Sequence, residues 1–318
     1  MKVTEHIEKA KGETLFSIEI LPPLKGQDMK SIIGNLDPLM DFNPAFVDVT
    51  YHREEVIYDE LDNGLLQKRN IRKRPSTIAI STAIQHRYSV DCVPHLLAGG
   101  FSKDETENAL IEMDFLGIEN VLALRGDAAH GEIYFEPSEN GHSYANELVE
   151  QISELNKGSY LDPKMENAHA TDFCVGVAGY PEKHFESPHI EADLENLKRK
   201  VDAGADYIVT QMFFDNKKFF EFEESCRRHG INVPIIPGLK PLSTKKQLSL
   251  LPHRFSLDLP FELVREVEKC KDNKEVRQLG VEWAIEQSKE LKAAGVPVLH
   301  YYTMGKSDNI QKIAKAIF

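Results

Sequence analysis

Residues Ile190-Glu-Ala-Asp-Leu-Glu-Asn-Leu-Lys-Arg-Lys-Val-Asp-Ala203, followed after a short gap by Tyr207-Ile-Val-Thr-Gln-Met-Phe213, decide how this chain is built. The first stretch carries Ile190, Leu194, Leu197 and Val201 on one helical face, and the second is a β-branched apolar run, so the pair reads as helix then strand. Working outward, the same alternation fills the chain. Strands are predicted at 15–21, 46–51, 91–97, 121–125, 173–178, 207–213, 233–237 and 298–302, and helices at 76–87, 104–116, 144–155, 190–203, 217–229 and 274–293. Such alternation implies a mostly parallel sheet, either a closed (β/α)8 barrel or a doubly wound sheet. A doubly wound nucleotide binder carries G-x-G-x-x-G after a strand, and no two glycines here have G-x-G spacing. Gly305-Lys306-Ser307 has His300 where a P-loop needs its first glycine. The expectation is therefore an α/β chain forming a single (β/α)8 TIM barrel over residues 1–318, with surface insertions near the charged 54–75 and the polar 156–170.

Composition narrows the function classes. The 318 residues hold 38 basic and 51 acidic side chains, a net charge of −13. That argues against a nucleic-acid partner, which would need a basic face for phosphates. No apolar run approaches the ~18 residues of a membrane span. The charged segment 1–11 lacks the apolar core of a signal peptide, so a cytoplasmic protein is expected. Cys92, Cys174, Cys226 and Cys270 are scattered without C-x-x-C spacing and read as reduced thiols. The 12 histidines show no H-E-x-x-H, and His184 and His189 do not share a helical face, so no metal is expected.

In a barrel, functional groups gather where strands end. Glu19 lies in Ser17-Ile-Glu-Ile-Leu-Pro-Pro23, pointing opposite to Ile18 and Ile20 if the segment is a strand. Facing inward, it would be desolvated and become a usable proton donor; facing outward, it would be an ordinary edge glutamate. The next strands end in Thr50-Tyr51, Pro94-His95, Arg125-Gly126-Asp127 and Tyr180, and the sixth carries Gln211. One such residue is readily a satisfied core polar group; a ring of them is harder to explain by structure alone. The Arg125-Gly126-Asp127 turn suits a phosphate and a polar heterocycle, or else an internal Arg–Asp pair. Asp193, Asn196 and Lys200, with Arg199 beside them, share one helical face, which is either a ligand wall or a solvated surface.

Taken in order, these motifs resemble the methylenetetrahydrofolate reductase family. The resemblance runs through Ser17–Pro23, Phe46-Val-Asp-Val-Thr-Tyr51, Pro94-His-Leu96, Leu122-Ala-Leu-Arg-Gly-Asp127, Asn196-Leu-Lys-Arg-Lys-Val-Asp-Ala-Gly-Ala205, Thr210-Gln-Met-Phe-Phe-Asp215, Ile235-Ile-Pro-Gly238 and Tyr301-Tyr-Thr303. It covers residue 15 to the C-terminus and is similar to the bacterial form that consists of the catalytic domain alone. It implies a (β/α)8 flavoprotein that binds FAD across barrel loops. NAD(P)H reduces the flavin, which passes hydride to 5,10-methylenetetrahydrofolate in a ping-pong scheme. The product, 5-methyltetrahydrofolate, supplies methyl groups for methionine synthesis.

The resemblance gives Glu19 the role of general acid, Asp127 that of the acid near flavin and pterin, Gln211 pterin binding and Thr50 a nicotinamide-nucleotide contact. FAD-contacting positions fall on Tyr51, His95, Arg125, Gly126, Asp127, Tyr144, Ala145, Tyr180, His184, Asp193, Asn196, Arg199 and Lys200. Gln247 and Lys306 fall on further substrate positions, and a homo-oligomer is compatible with the family. The chain departs from the family in His52-Arg53-Glu54-Glu55, where small residues are usual, in Leu251, where some members have an aromatic, and in Lys306, where arginine is common. A flavin-free pterin methyltransferase and a catalytically inactive barrel are the competing readings; retention of Glu19, Asp127 and Gln211 together argues against the second.

Overall fold

The computed structural model describes residues 1–128 and 134–318. Its strands are β1 (Leu15–Ile20), β2 (Phe46–Val49), β3 (Glu55–Glu60), β4 (Leu66–Ile71), β5 (Asp91–Leu97), β6 (Asn120–Leu124), β7 (Cys174–Gly179), β8 (Tyr207–Thr210), β9 (Ile235–Ile236), β10 (Gly238–Leu239) and β11 (Val298–Tyr302). The helices are α1 (Val3–Lys9), α2 (Met29–Met40), α3 (Thr77–Tyr88), α4 (Lys103–Phe115), α5 (Ala145–Leu155), α6 (Ile190–Asp202), α7 (Asn216–Arg228), α8 (Gln247–Phe255), α9 (Phe261–Lys269), α10 (Asn273–Ala293) and α11 (Asp308–Ile317).

The strands pair in the order β10-β11-β1-β2-β5-β6-β7-β8-β9, all parallel. β9 and β10 are two halves of one strand split at Pro237, which has no N–H to donate. The first half pairs with β8 and the second with β11, so the row closes into the expected eight-stranded barrel. The carbonyl of Pro237 itself accepts from the His300 amide at 3.2 Å across that seam.

Alternation along each strand sorts side chains between two environments. On β1, Phe16, Ile18 and Ile20 are buried outward against the helices, while Ser17 and Glu19 point in. The lower barrel interior is apolar, with Phe46, Val93, Leu122, Tyr207, Val209, Ile236 and Val298 packed together. Val3 of α1 closes that end: it is fully buried, and its amide donates to Asn120 Oδ1 at 2.8 Å. Functional groups are thereby left to the opposite, C-terminal mouth.

The hydrophobic period that predicts the helices is what they bury: Leu148 and Ile152 of α5, Leu194 and Leu197 of α6, and Phe219 and Phe222 of α7 all pack onto the sheet. Local chemistry sets their starts. Ser102 caps α4, accepting from the Glu105 amide at 3.2 Å while the Glu105 carboxylate accepts the Ser102 amide at 2.8 Å.

All eight predicted strands form, with trimmed ends: 46–51 stops at Val49 and 207–213 at Thr210. Sequence reading omits α1, α2, α8, α9 and α11. α2 carries Gly34 and Pro38, and α8 carries Pro252, residues that read as breakers yet sit in helices here. The segment near 54–75 folds as an antiparallel hairpin, β3–β4, with Tyr58 opposite Lys68. The segment near 156–170 is irregular, and Asn156 ties its exit down by accepting from the Phe173 amide at 2.9 Å. Among the described residues no helix is long and apolar enough to cross a membrane.

Candidate active site at the C-terminal mouth of the barrel

The mouth opens into a cavity of about 2220 Å³. Ligand pockets usually run ~300–1,000 Å³, so this one has room for more than one ligand. Glu19, Thr50, Tyr51, His95, Arg125, Gly126, Asp127, Tyr144, Ala145, Tyr180, His184, Asp193, Asn196, Arg199, Lys200 and Gln211 all line it. Gln247, Lys306 and Leu251 are placed elsewhere. The Gln247 amide oxygen caps the turn before α8, accepting from the Ser243 amide at 2.7 Å and the Thr244 amide at 3.0 Å. Lys306 is exposed outside the cavity lining. Leu251 is packed with Met212, Phe214 and Leu263 in a core of its own.

On the β1 side, register puts two inward carboxylates at one level, Glu19 of β1 beside Asp48 of β2, with Tyr302 of β11 on the other flank of Glu19. His95 reaches both: its Nε2 is 3.3 Å from Asp48 Oδ2 and 3.8 Å from Glu19 Oε2. Asp48 is fully buried, and only 15% of the Glu19 side chain is exposed. Burial pushes the Glu19 carboxyl up to about 7, opposed by the charges of His95 and Lys240 and aided by that of Asp48. Burial works against charge on His95 too, but the hydrogen bond to Asp48 and the two carboxylate fields leave its pKa raised. This wall therefore holds a carboxyl that carries a proton near neutrality, beside an ion-paired imidazole. The backbone is fixed as well, because Thr303 donates to the Glu19 carbonyl through its amide at 3.1 Å and its hydroxyl at 2.8 Å.

The far wall is built differently. Lys200 of α6 donates to the Ala178 carbonyl of β7 at 2.6 Å and lies 6.0 Å from the centre of the Tyr180 ring. Burial pulls the Lys200 ammonium down to about 8, although Asp193 opposes the shift. Asp193 braces the adjoining loop, accepting from the His184 amide at 3.1 Å and the Ser187 hydroxyl at 2.7 Å. His184 in turn packs edge-on against Tyr180 at 4.7 Å. Asn196 and Arg199 are exposed along the same rim and joined at 3.3 Å.

Between these walls, Arg125 pairs with Glu186 at 2.5 Å and not with Asp127, and it covers the Phe135 ring. The internal Arg–Asp alternative is thus not the arrangement found. Asp127 is exposed to the cavity and makes no hydrogen bond or ion pair among the described residues. Gly126 sits at φ +89, where a Cβ would also stand 3.3 Å from Leu97, so glycine is what lets this turn form against Leu97 without strain. Tyr144 precedes α5 at 59% exposure, and Tyr51 packs against Phe101 at 5.0 Å.

Sequence reading missed Asp48, Tyr302 and Lys240 as lining or neighbouring groups. Asp48 is framed by Val47 and Val49 just as Glu19 is by isoleucines, so the same alternation signal was present. Lys240 follows β10 directly and makes no hydrogen bond or ion pair among the described residues; burial lowers its pKa. No local signal marks Lys240, because β9 and β10 are too short to show a period.

The family model described as methylenetetrahydrofolate reductase matches residues 2–317. Methylenetetrahydrofolate reductase (NADH) 1 of Arabidopsis thaliana is 33% identical over 329 aligned residues, covering 100% of this chain and 50% of its own length. The 5,10-methylenetetrahydrofolate reductase of Escherichia coli (strain K12) is 30% identical over 307 residues, covering 96% of this chain and 91% of its own. The chain thus spans about half the length of the plant relatives it matches and most of the bacterial one. An uncharacterized protein from Clostridium thermocellum, described as binding two copies of 5-methyl-5,6,7,8-tetrahydrofolic acid, shares the fold at TM-score 0.59 and 14% identity, over 99% of this chain and 98% of that one.

Proposed function

The chain belongs to the methylenetetrahydrofolate reductase family, and from that premise we propose that it reduces 5,10-methylenetetrahydrofolate to 5-methyltetrahydrofolate with NAD(P)H, using FAD in a ping-pong cycle. The observation that carries the reading is the Glu19 carboxyl, held at a pKa of about 7 in the cavity that the matched residues line. Hydride cannot add to an intact methylene bridge between two nitrogens. Protonation of one nitrogen lets its C–N bond break and leaves an iminium carbon that accepts hydride. Free glutamate, at ~4.3, is almost wholly ionised at neutral pH and a poor source of that proton.

The cavity residues fit a flavin dinucleotide. The Lys200 ammonium is buried against the Ala178 carbonyl and the Tyr180 ring, within the field of Asp193 but with no ion pair among the described residues, which leaves it free for phosphate. Asp127 offers an unpaired carboxylate at the Gly126 turn, which lines the cavity. FAD would be held by Tyr51, His95, Arg125, Gly126, Asp127, Tyr144, Ala145, Tyr180, His184, Asp193, Asn196, Arg199 and Lys200. When bound it supplies a two-electron carrier between nicotinamide and folate. The chain's own residues do the rest. Glu19 holds the proton for the bridging nitrogen, Asp127 and Gln211 orient the pterin, and Thr50 contacts the nicotinamide nucleotide. His95 and Asp48 fix the field in which Glu19 titrates.

The test is anaerobic. Purified protein should be yellow and release FAD on heating; NADH or NADPH should bleach it, and methylenetetrahydrofolate should restore the colour with 5-methyltetrahydrofolate as product. A colourless protein that binds folate would support the flavin-free methyltransferase instead, and bleaching without folate turnover would defeat the assignment of substrate.

A further inference from the structure

The β3–β4 hairpin has an uncovered face on the cavity side. In its register Val56 lies opposite Asn70 and Tyr58 opposite Lys68, so these four side chains share one face, and all four line the cavity. Val56 and Tyr58 are 46% and 62% exposed there. The other face has its own partners, including the Asp59–Arg69 ion pair at 3.0 Å. Lys68, and Arg53 just before β3, line the cavity without a hydrogen bond or ion pair among the described residues. In a chain of net charge −13, this rim is cationic: Arg53, Lys68, Arg72, Lys73 and Arg74 stand against Glu54 and Glu55.

A flat aromatic with an apolar neighbour, flanked by uncommitted cations, matches a ligand that joins a planar ring to several negative charges. We propose that this face holds the adenosine diphosphate half of the nicotinamide dinucleotide, with the purine against Tyr58 and Val56 and the phosphates near Arg53 and Lys68. The assignment rests on the dinucleotide being the hydride donor. Folate also joins a planar p-aminobenzoyl ring to an anionic glutamate tail, but it carries no phosphates, and ADP-ribose as probe separates the two. The flavin's own adenosine diphosphate has the α6 wall, three strands further round the ring from β2. A hairpin at the mouth also suits a ping-pong cycle, because the donor must leave before folate enters, and a surface element releases its ligand without disturbing the barrel.

The probe is ADP-ribose, which contains the purine and both phosphates without the reacting ring. Calorimetry on the purified holoprotein should give a Kd that rises roughly tenfold or more in Tyr58→Ala/Lys68→Ala, the size expected for losing a stacked base and a phosphate contact. Tyr58→Phe keeps the ring and should recover most of the affinity, and Lys68→Glu should weaken it beyond Lys68→Ala. The KM for NAD(P)H should rise in parallel, with that for methylenetetrahydrofolate within twofold of the parent. An unchanged Kd for ADP-ribose overturns the proposal. So does a loss confined to folate bearing a poly-γ-glutamate tail, which would make the hairpin a tail site. If neither NADH nor NADPH bleaches the parent flavin while folate still binds, the donor assignment itself fails, an outcome distinct from a donor that bleaches normally in the hairpin variants.

Discussion

Glu19 of β1 and Lys200 of α6, which bonds to β7 four places round the ring of eight, face one cavity, and burial moves both toward neutrality from opposite sides. The carboxyl rises to about 7 and the ammonium falls to about 8. What distinguishes them is company. Glu19 has a second carboxylate and an imidazole within its field, so its proton is held and tuned by neighbours. Lys200 has a backbone carbonyl and an aromatic face, and it meets Asp193 only through its field, with no ion pair among the described residues, so its charge is open to an anion from outside. Desolvation alone does not define a role; the partners left for the group do. One wall is arranged to handle a proton, the other to bind.

The largest test of that contrast is Glu19→Gln. It should slow reoxidation of reduced flavin by methylenetetrahydrofolate by ~10²–10⁴-fold, the usual cost of losing a general acid, with flavin content and reduction by nicotinamide retained. Stopped-flow traces of the two half-reactions decide it; equal slowing of both would make Glu19 a structural residue. Lys200→Met should act on the opposite wall, weakening FAD by roughly 10–100-fold, as expected for a lost charge-assisted contact. Titration of the apoprotein with FAD measures this, and unchanged affinity would leave Lys200 only a support for β7.

Asp127→Asn should raise the flavin reduction potential, since a negative charge beside the ring disfavours added electrons, and should weaken folate turnover. A spectroelectrochemical titration with no shift would place the carboxylate away from the flavin. The smallest effect is expected from Lys240→Met. Lys240 lowers the Glu19 pKa, so its removal should move the alkaline limb of the folate half-reaction upward while the nicotinamide half-reaction stays put. A downward move would contradict the sign.

The barrel and the inward-facing groups at its strand ends were legible because both follow from period. Alternation in Ser17–Leu21 places Glu19 inward, and the rule that strand ends carry function collects Thr50, His95, Asp127 and Gln211. Residues set by non-local geometry were not legible. Gln247 has the composition of a substrate contact, but its amide is used by two backbone donors four and three residues earlier. The hairpin reads only as charge, because a two-stranded ribbon has little buried face to leave a pattern. Lys240 becomes part of the Glu19 environment only when β10 closes the ring against β11.

The central claim is that Glu19 supplies its proton to one half-reaction and not the other. Its pKa is raised, so the protonated form prevails below about 7 and is lost above it. The measurement is the pH dependence of each half-reaction in the parent protein by anaerobic stopped flow. Reoxidation by methylenetetrahydrofolate should be level on the acid side and fall about tenfold per pH unit above about 7, with no such limb in reduction by nicotinamide. A folate half-reaction that stays level through pH 9, or the same limb in both, would contradict the account.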